Sequence, residues 1–205
     1  MANANSSPYQ SNGNSQKDPV QRTTPGLARA VFLDRDGTLN RDPGYLNDPN
    51  QLELFDHVVA ALESLKTHGY LLFVVTNQSG VARGKITQSQ LNAIHQRLNE
   101  ECLSERSRIT DFGICLHHPD ESCECRKPKP RLIQQLAERW RLDLSQSFVI
   151  GDRHSDLLLK KSAGLKGAAL VRTGWGSDTE QTLKSSEADF IGDHLLEVAQ
   201  WIVKQ

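Results

Sequence analysis

Short apolar runs alternate along the chain with longer stretches in which apolar residues recur every three or four positions. Ala30 to Asp34, Tyr70 to Thr76, Phe112 to Leu116, Ser147 to Asp152 and Ala168 to Arg172 are of the first kind. Their nearly continuous hydrophobicity predicts strands covered on both faces. Between them, His57 to His68 sets Val58, Leu62 and Leu65 on one helical face and meets Gly69 where a left-handed cap is wanted. Thr87 and Gln90 form a capping box ahead of Leu91, Ile94 and Leu98. Pro130 suits the first turn of a helix carrying Leu132, Ile133, Leu136 and Trp140. Ser155 is placed to cap a helix running to about Ala163, and Leu195, Leu196, Val198 and Ile202 predict a last one. Strand and helix in alternation predict an α/β fold: a mostly parallel, Rossmann-like sheet with helices on both faces. The intervals after the first and second strands have room for loops and one helix each, so no separate cap domain is expected.

Composition changes the picture at one end. Residues 1–26 are rich in Asn, Ser, Gln, Gly and Pro and nearly free of aliphatic side chains, which predicts a disordered polar tail ahead of one domain over residues 27–205. That segment lacks the basic start and apolar run of a secretory signal, and no later stretch approaches the ~20 apolar residues of a membrane span. A cytoplasmic protein, monomeric by default, is the expectation. Lys and Arg total 24 against 25 Asp and Glu, a net charge of -1, which excludes bulk attraction to nucleic acid or an acidic membrane.

Chemistry in a parallel sheet belongs just beyond the carboxyl ends of the strands, and three of those ends are unusual. The first runs into Asp34-Arg35-Asp36-Gly37-Thr38, two carboxylates able to face one small site and hold a divalent cation. Taken alone, it reads equally as a solvated Asp-Gly turn. The second ends in Thr76-Asn77-Gln78-Ser79-Gly80, hydroxyl and amide donors that could cradle a phosphate or cap a helix. The fourth ends in Gly151-Asp152-Arg153-His154-Ser155-Asp156, a further carboxylate pair in which Asp156 could be a cap. Arg126-Lys127-Pro128 precedes it with cations for phosphate charge. Cysteine usage carries a separate signal. Cys115, Cys123 and Cys125, with His117 or His118 between them, can close a tetrahedral zinc site of structural type, whereas Cys102 reads as an inert core thiol.

In their order and spacing, Asp34 to Thr38, Thr76-Asn77, Lys127 and Gly151-Asp152 through Asp156 resemble the motifs of the haloacid dehalogenase superfamily. The resemblance implies that fold, with Asp34 as nucleophile toward phosphorus and Asp36 as general acid and then base. It also implies catalytic Mg²⁺ on Asp34, the backbone carbonyl of Asp36, and Asp152, while Thr76 and Lys127 hold the transferring phosphoryl group. An aspartyl-phosphate route suits phosphate monoesters, whose uncatalysed hydrolysis is among the slowest known.

With the cysteine loop, the chain is similar to the zinc-containing histidinol-phosphate and heptose-bisphosphate phosphatase group, which implies His117 as the fourth zinc ligand. Val75 to Lys85, Leu170 to Gly174 and Asp42-Pro43-Gly44-Tyr45 resemble the heptose-bisphosphate branch. That likeness implies hydrolysis of the 7-phosphate of a heptose 1,7-bisphosphate, in the making of nucleotide-activated heptose for surface polysaccharide. Asp42, Gly44, Tyr45, Asn77, Gln78 and Ser79 would bind this sugar bisphosphate, with Arg126 reaching the phosphate that stays. Leu116 stands where the family often has proline, and the short cysteine loop has the spacing of histidinol-phosphate phosphatases, the close alternative. A zinc-braced module that binds a phosphorylated ligand without turning it over is the non-enzymatic one.

Overall fold

A computed structural model describes residues 26–102 and 106–205; apart from Gly26, the polar tail expected over residues 1–26 lies outside them. Six strands form one sheet: β1 (Ala30–Leu33), β2 (Leu71–Asn77), β3 (Asp111–Cys115), β4 (Phe148–Gly151), β5 (Gly167–Val171) and β6 (Phe190–Gly192). They run in the order β3-β2-β1-β4-β5-β6, and every pair is parallel. The helices are α1 (Val58–Thr67), α2 (Gln88–Glu101), α3 (Arg131–Trp140), α4 (His154–Leu157), α5 (Leu159–Ala163), α6 (Gly176–Thr182) and α7 (Leu195–Ile202).

The period-two alternation of strand side chains divides the core in two. Val31, Leu33, Leu72, Val74, Phe148, Ile150, Ala169 and Val171 pack with α1, α7 and the end of α2. Ala30, Phe32, Phe73, Val75, Val149, Ala168 and Leu170 pack on the other face with α3 and the α4–α5 segment. Because β1, β2, β4 and β5 bury both faces, continuous apolar runs were the right signature for them. Residues 34–70 between β1 and β2 hold loops, a 3-10 turn at Pro49–Gln51 and α1, while α2 lies between β2 and β3.

The helix signals hold with local corrections. Val58, Ala61, Leu62 and Leu65 are the buried face of α1, and Gly69 follows it at φ 83°. Thr87 and Gln90 make the reciprocal capping box of α2. Pro130 stands one position earlier than expected, just ahead of α3. Ser155 is not a cap: it lies inside α4, and Asp156 Oδ2 accepts the Arg153 N–H at 3.1 Å instead. The carboxylate three residues beyond Arg153 has the reach to do so. The predicted helix to Ala163 is divided at Leu158. The short β6 and the polar α6 had no hydrophobic signal of their own; β6 forms because β5 offers it an edge.

Phe73 is fully buried, stacked on Phe32 at 5.6 Å and edge-on to Trp140 at 6.0 Å. Phe73→Ala is expected to cost about 3–5 kcal/mol through the cavity it leaves, measured as a lowered midpoint in urea denaturation.

Candidate active site

The order of the sheet reverses between β1 and β4: β2 and β3 extend it on one side, β5 and β6 on the other. Connections leave such a point in opposite directions and open a crevice at the carboxyl ends of the strands. Asp34 follows β1 and Asp152 follows β4, and the Leu33–Ile150 register sets them side by side. Asp156 joins them from α4, so that one oxygen from each of the three carboxylates lies within 4.8 Å of the others. Lys127 enters from the loop before α3, with Nζ 2.7 Å from Asp34 Oδ1 and 2.7 Å from Asp156 Oδ1. Asn77, at the end of β2, holds that loop: its Oδ1 accepts the Lys127 N–H at 3.0 Å.

All four groups are buried, so charge governs the cluster. Burial pushes the Asp34 carboxyl up to about 7, the Lys127 charge opposing it only in part. Burial likewise raises Asp152 to about 6. Lys127 stays above its ordinary range despite its burial, because Asp156 and Asp34 more than offset the desolvation. Asp152 Oδ2 accepts the Trp175 N–H at 2.9 Å, but Asp152 Oδ1 is buried without a hydrogen-bond partner among the described residues. A divalent cation with a preference for hard oxygen ligands answers both the surplus charge and the orphaned lone pairs, so the donor set fits magnesium.

Two glycines make room for this carboxylate. Gly37 (φ 82°) and Gly174 (φ 59°) adopt the left-handed conformation, and a Cβ on either would strike Asp152 Oδ2. Thr173 Oγ1 donates to the Gly37 carbonyl at 2.7 Å and ties the two loops together.

Asp36 points elsewhere. Its carboxylate accepts from Arg35 at 3.0 and 2.7 Å, from Asn40 at 3.0 Å and from Gln78 at 2.8 Å, and it is not one of the three clustered acids. Burial works to raise it, but the Arg35 charge and these donors hold it below the ordinary carboxylate range. Gln78 Nε2 also donates to Thr76 Oγ1 at 2.8 Å.

Asp34, Asp36, Thr76 and Lys127 line a cleft of about 470 Å³. Its walls bring in Asp42, Gly44 and Tyr45 from the loop after β1, Asn77, Gln78 and Ser79 after β2, and Arg126 beside Lys127. Arg153, which the sequence left without a role, and Ser155, expected there as a helix cap, line it too. Arg172 is engaged away from it, paired to Glu180 at 2.6 Å and Asp193 at 2.6 Å.

Cys115, His117, Cys123 and Cys125 place their ligand atoms within 4.8 Å of one another, with Cys115 Sγ 3.7 Å from Cys123 Sγ and His117 Nδ1 3.1 Å from Cys125 Sγ. Three sulfurs and an imidazole at this spacing are compatible with tetrahedral zinc. His118 is turned away, its Nδ1 accepting the Asp120 N–H at 3.3 Å. The cluster reaches the cleft directly, since Arg126 Nη2 donates to the His117 carbonyl at 2.8 Å.

The sequence motif contained Asp156 but could not tell a cap from a charge partner; the structure makes it both. Arg35 and His95 were missed as site residues, because a buried cation inside a strand-end motif and a histidine on an apolar helix face have no distinctive spacing.

Comparison with known proteins agrees with this geometry. The HAD-hyrolase-like family matches residues 124–198. The D-glycero-beta-D-manno-heptose-1,7-bisphosphate 7-phosphatase of Pasteurella multocida (strain Pm70) is 38% identical over 154 residues, 72% of this chain and 84% of that protein. Its namesake from Escherichia coli (strain K12) is 34% identical over 183 residues, 86% of this chain and 94% of that protein. Among solved structures, the D,D-heptose 1.7-bisphosphate phosphatase from B. bronchiseptica, complexed with magnesium and phosphate, superposes with a TM-score of 0.79 at 30% identity, covering 86% of this chain and 98% of that one.

Asp152→Asn removes one of the crowded charges while leaving an oxygen for the Trp175 N–H. It should raise the melting temperature of the metal-free protein by roughly 2–4 °C and abolish the further stabilisation that Mg²⁺ confers on the unaltered chain, both read by thermal shift.

Proposed function

The chain belongs to the family of D-glycero-beta-D-manno-heptose-1,7-bisphosphate 7-phosphatases, and on that premise we propose that it hydrolyses the 7-phosphate of D-glycero-D-manno-heptose 1,7-bisphosphate, leaving heptose 1-phosphate. The reading is carried by one observation: the buried Asp34–Lys127–Asp156 chain with Asp152 beside it stands at the base of a cleft whose wall offers a further cation, Arg126.

Asp34 is the nucleophile. Its Oδ attacks phosphorus, a P–O bond to the carboxylate forms, and the bond to the sugar oxygen breaks. Asp36, whose fork with Arg35 favours the carboxylate, must enter the step protonated: it gives that proton to the departing oxygen and then, as the carboxylate, takes one from the water that cleaves the aspartyl phosphate. Lys127 neutralises charge on the phosphoryl oxygens, and Thr76 positions them. Asp34, the backbone carbonyl of Asp36, and Asp152 would hold Mg²⁺, which when bound offsets the repulsion between the carboxylate and the phosphate dianion. Asp42, Gly44, Tyr45, Asn77, Gln78 and Ser79 shape the sugar subsite.

Arg126 reads the phosphate that stays. Its Nε is buried without a partner among the described residues, so a donor remains for an anion. Cys115, His117, Cys123 and Cys125 would hold zinc with all four positions filled by protein, a structural site that would brace the carbonyl on which Arg126 rests. A place among precursors of nucleotide-activated sugars puts the reaction in the cytoplasm. No helix among the described residues is long and apolar enough to cross a membrane.

The test is Mg²⁺-dependent phosphate release from both anomers of the bisphosphate beside histidinol phosphate, the curated relatives being named for the β anomer. Fast release from a heptose anomer is expected; preference for histidinol phosphate would favour the alternative that the short cysteine loop supports. Arg126→Ala should raise KM for the bisphosphate about 10–100-fold, the loss of one charge-assisted contact, and leave KM for a sugar monophosphate nearly unchanged. Cys123→Ser should lower zinc content by elemental analysis and the melting temperature together.

A further inference from the structure

Arg35 is the largest fully buried side chain among the described residues, 1% exposed. A guanidinium in such a place is tolerated only where its donors are met. Nε and Nη2 form a fork on Asp36 at 3.0 and 2.7 Å, and Nη2 also donates to Gln78 Oε1 at 3.2 Å. Nη1 lies 3.2 Å from His95 Nε2. Arginine has no acceptor, so His95 Nε2 must accept and the imidazole is neutral with its proton on Nδ1. Burial, then the Arg35 charge, lower His95 to about 3, in keeping with that state.

His95 is itself fixed. It sits at a buried position of α2 with Leu91, Ile94 and Leu98, and its ring stacks on Phe112 of β3, centroids 4.5 Å apart and planes at 17°. A continuous path therefore runs from the sheet edge through Phe112, His95 and Arg35 to the Asp36 carboxylate. The neutrality of His95 matters. An acidic partner at that place would satisfy Nη1 but draw Arg35 off its fork with Asp36; the imidazole satisfies Nη1 and leaves the fork intact.

We propose that His95, acting through Arg35, is a positioning residue that aims the Asp36 carboxylate at the departing sugar oxygen. This rests on the assignment of Asp36 as acid and base under the proposed function. Neither residue lines the catalytic cleft, and His95 faces a separate groove of about 320 Å³ between α2 and α3.

Proton donation matters for a basic leaving group and little for a weakly basic one, so kcat/KM on two esters separates positioning from general damage. Wild type, His95→Gln, His95→Glu and Asp36→Asn are compared as full-length, metal-loaded protein on heptose 1,7-bisphosphate, which must expel an alkoxide, and on p-nitrophenyl phosphate, which expels a stabilised phenolate. Gln and Glu share shape and acceptor and differ in charge, and melting temperatures check that both variants fold. His95→Gln should stay within about threefold of wild type on both esters, while His95→Glu loses on the order of tenfold more on the sugar ester than on the aryl ester, in the direction that Asp36→Asn sets. Equal losses on the two esters for His95→Glu, or identical behaviour of the Gln and Glu variants, would overturn the proposal. If Asp36→Asn itself shows no dependence on the leaving group, the acid assignment fails, and the positioning role falls with its premise.

Discussion

Three buried carboxylates share one buried ammonium where β1 and β4 part. Removing a carboxylate from water without full compensation costs several kcal/mol, so packing alone does not hold this cluster. The surroundings bear the mark of that cost. Gly37 and Gly174 clear space for Asp152, the Trp175 N–H reaches one of its oxygens, and the Arg153 N–H reaches Asp156. The remaining deficit, an Asp152 oxygen without a partner among the described residues and carboxyls pushed toward neutral pH, is what a bound cation would relieve. Affinity for the ion is thus built from instability of the site without it.

Two aspartates two residues apart have opposite environments. Burial lifts Asp34 to about 7, while the fork of Arg35 with Asn40 and Gln78 holds Asp36 below its usual range. A cation beside Asp34 would return it to the anion a nucleophile needs, and the carboxylate form favoured at Asp36 suits the base half of its role. The strand pairing does the sorting: Asp34 continues β1 into the crevice beside β4, and the turn at Gly37 directs Asp36 toward the β2 side, where Gln78 waits. On that side the Cys/His cluster fixes the His117 carbonyl, the carbonyl fixes Arg126, and Asn77 fixes Lys127.

Much of this was legible in the sequence because parallel strands buried on both faces leave uninterrupted apolar runs, and because a reaction on phosphorus needs particular side chains at successive strand ends. Asp34, Asp36, Thr76 and Lys127 come together around one cleft, as that pattern required, and the family resemblance chose His117 over His118 in keeping with the geometry. What escaped has a common cause. β6 is three residues long and exists because β5 offers it an edge, so no local pattern could mark it. Ser155 looked like a cap by residue type, but reach decided for Asp156. Arg35 and His95 are separated by 60 positions, and their contact is a property of the packed sheet and helix, invisible to any spacing rule.

The most direct test follows both phosphorus atoms of D-glycero-D-manno-heptose 1,7-bisphosphate by ³¹P NMR during turnover with Mg²⁺, using the unaltered chain and Asp34→Asn in parallel. The account predicts loss of the C7 monoester resonance, growth of inorganic phosphate, an intact C1 resonance, and silence from Asp34→Asn although its melting temperature shows it folded. Loss of the C1 resonance, or turnover by Asp34→Asn near the rate of the unaltered chain, would contradict it.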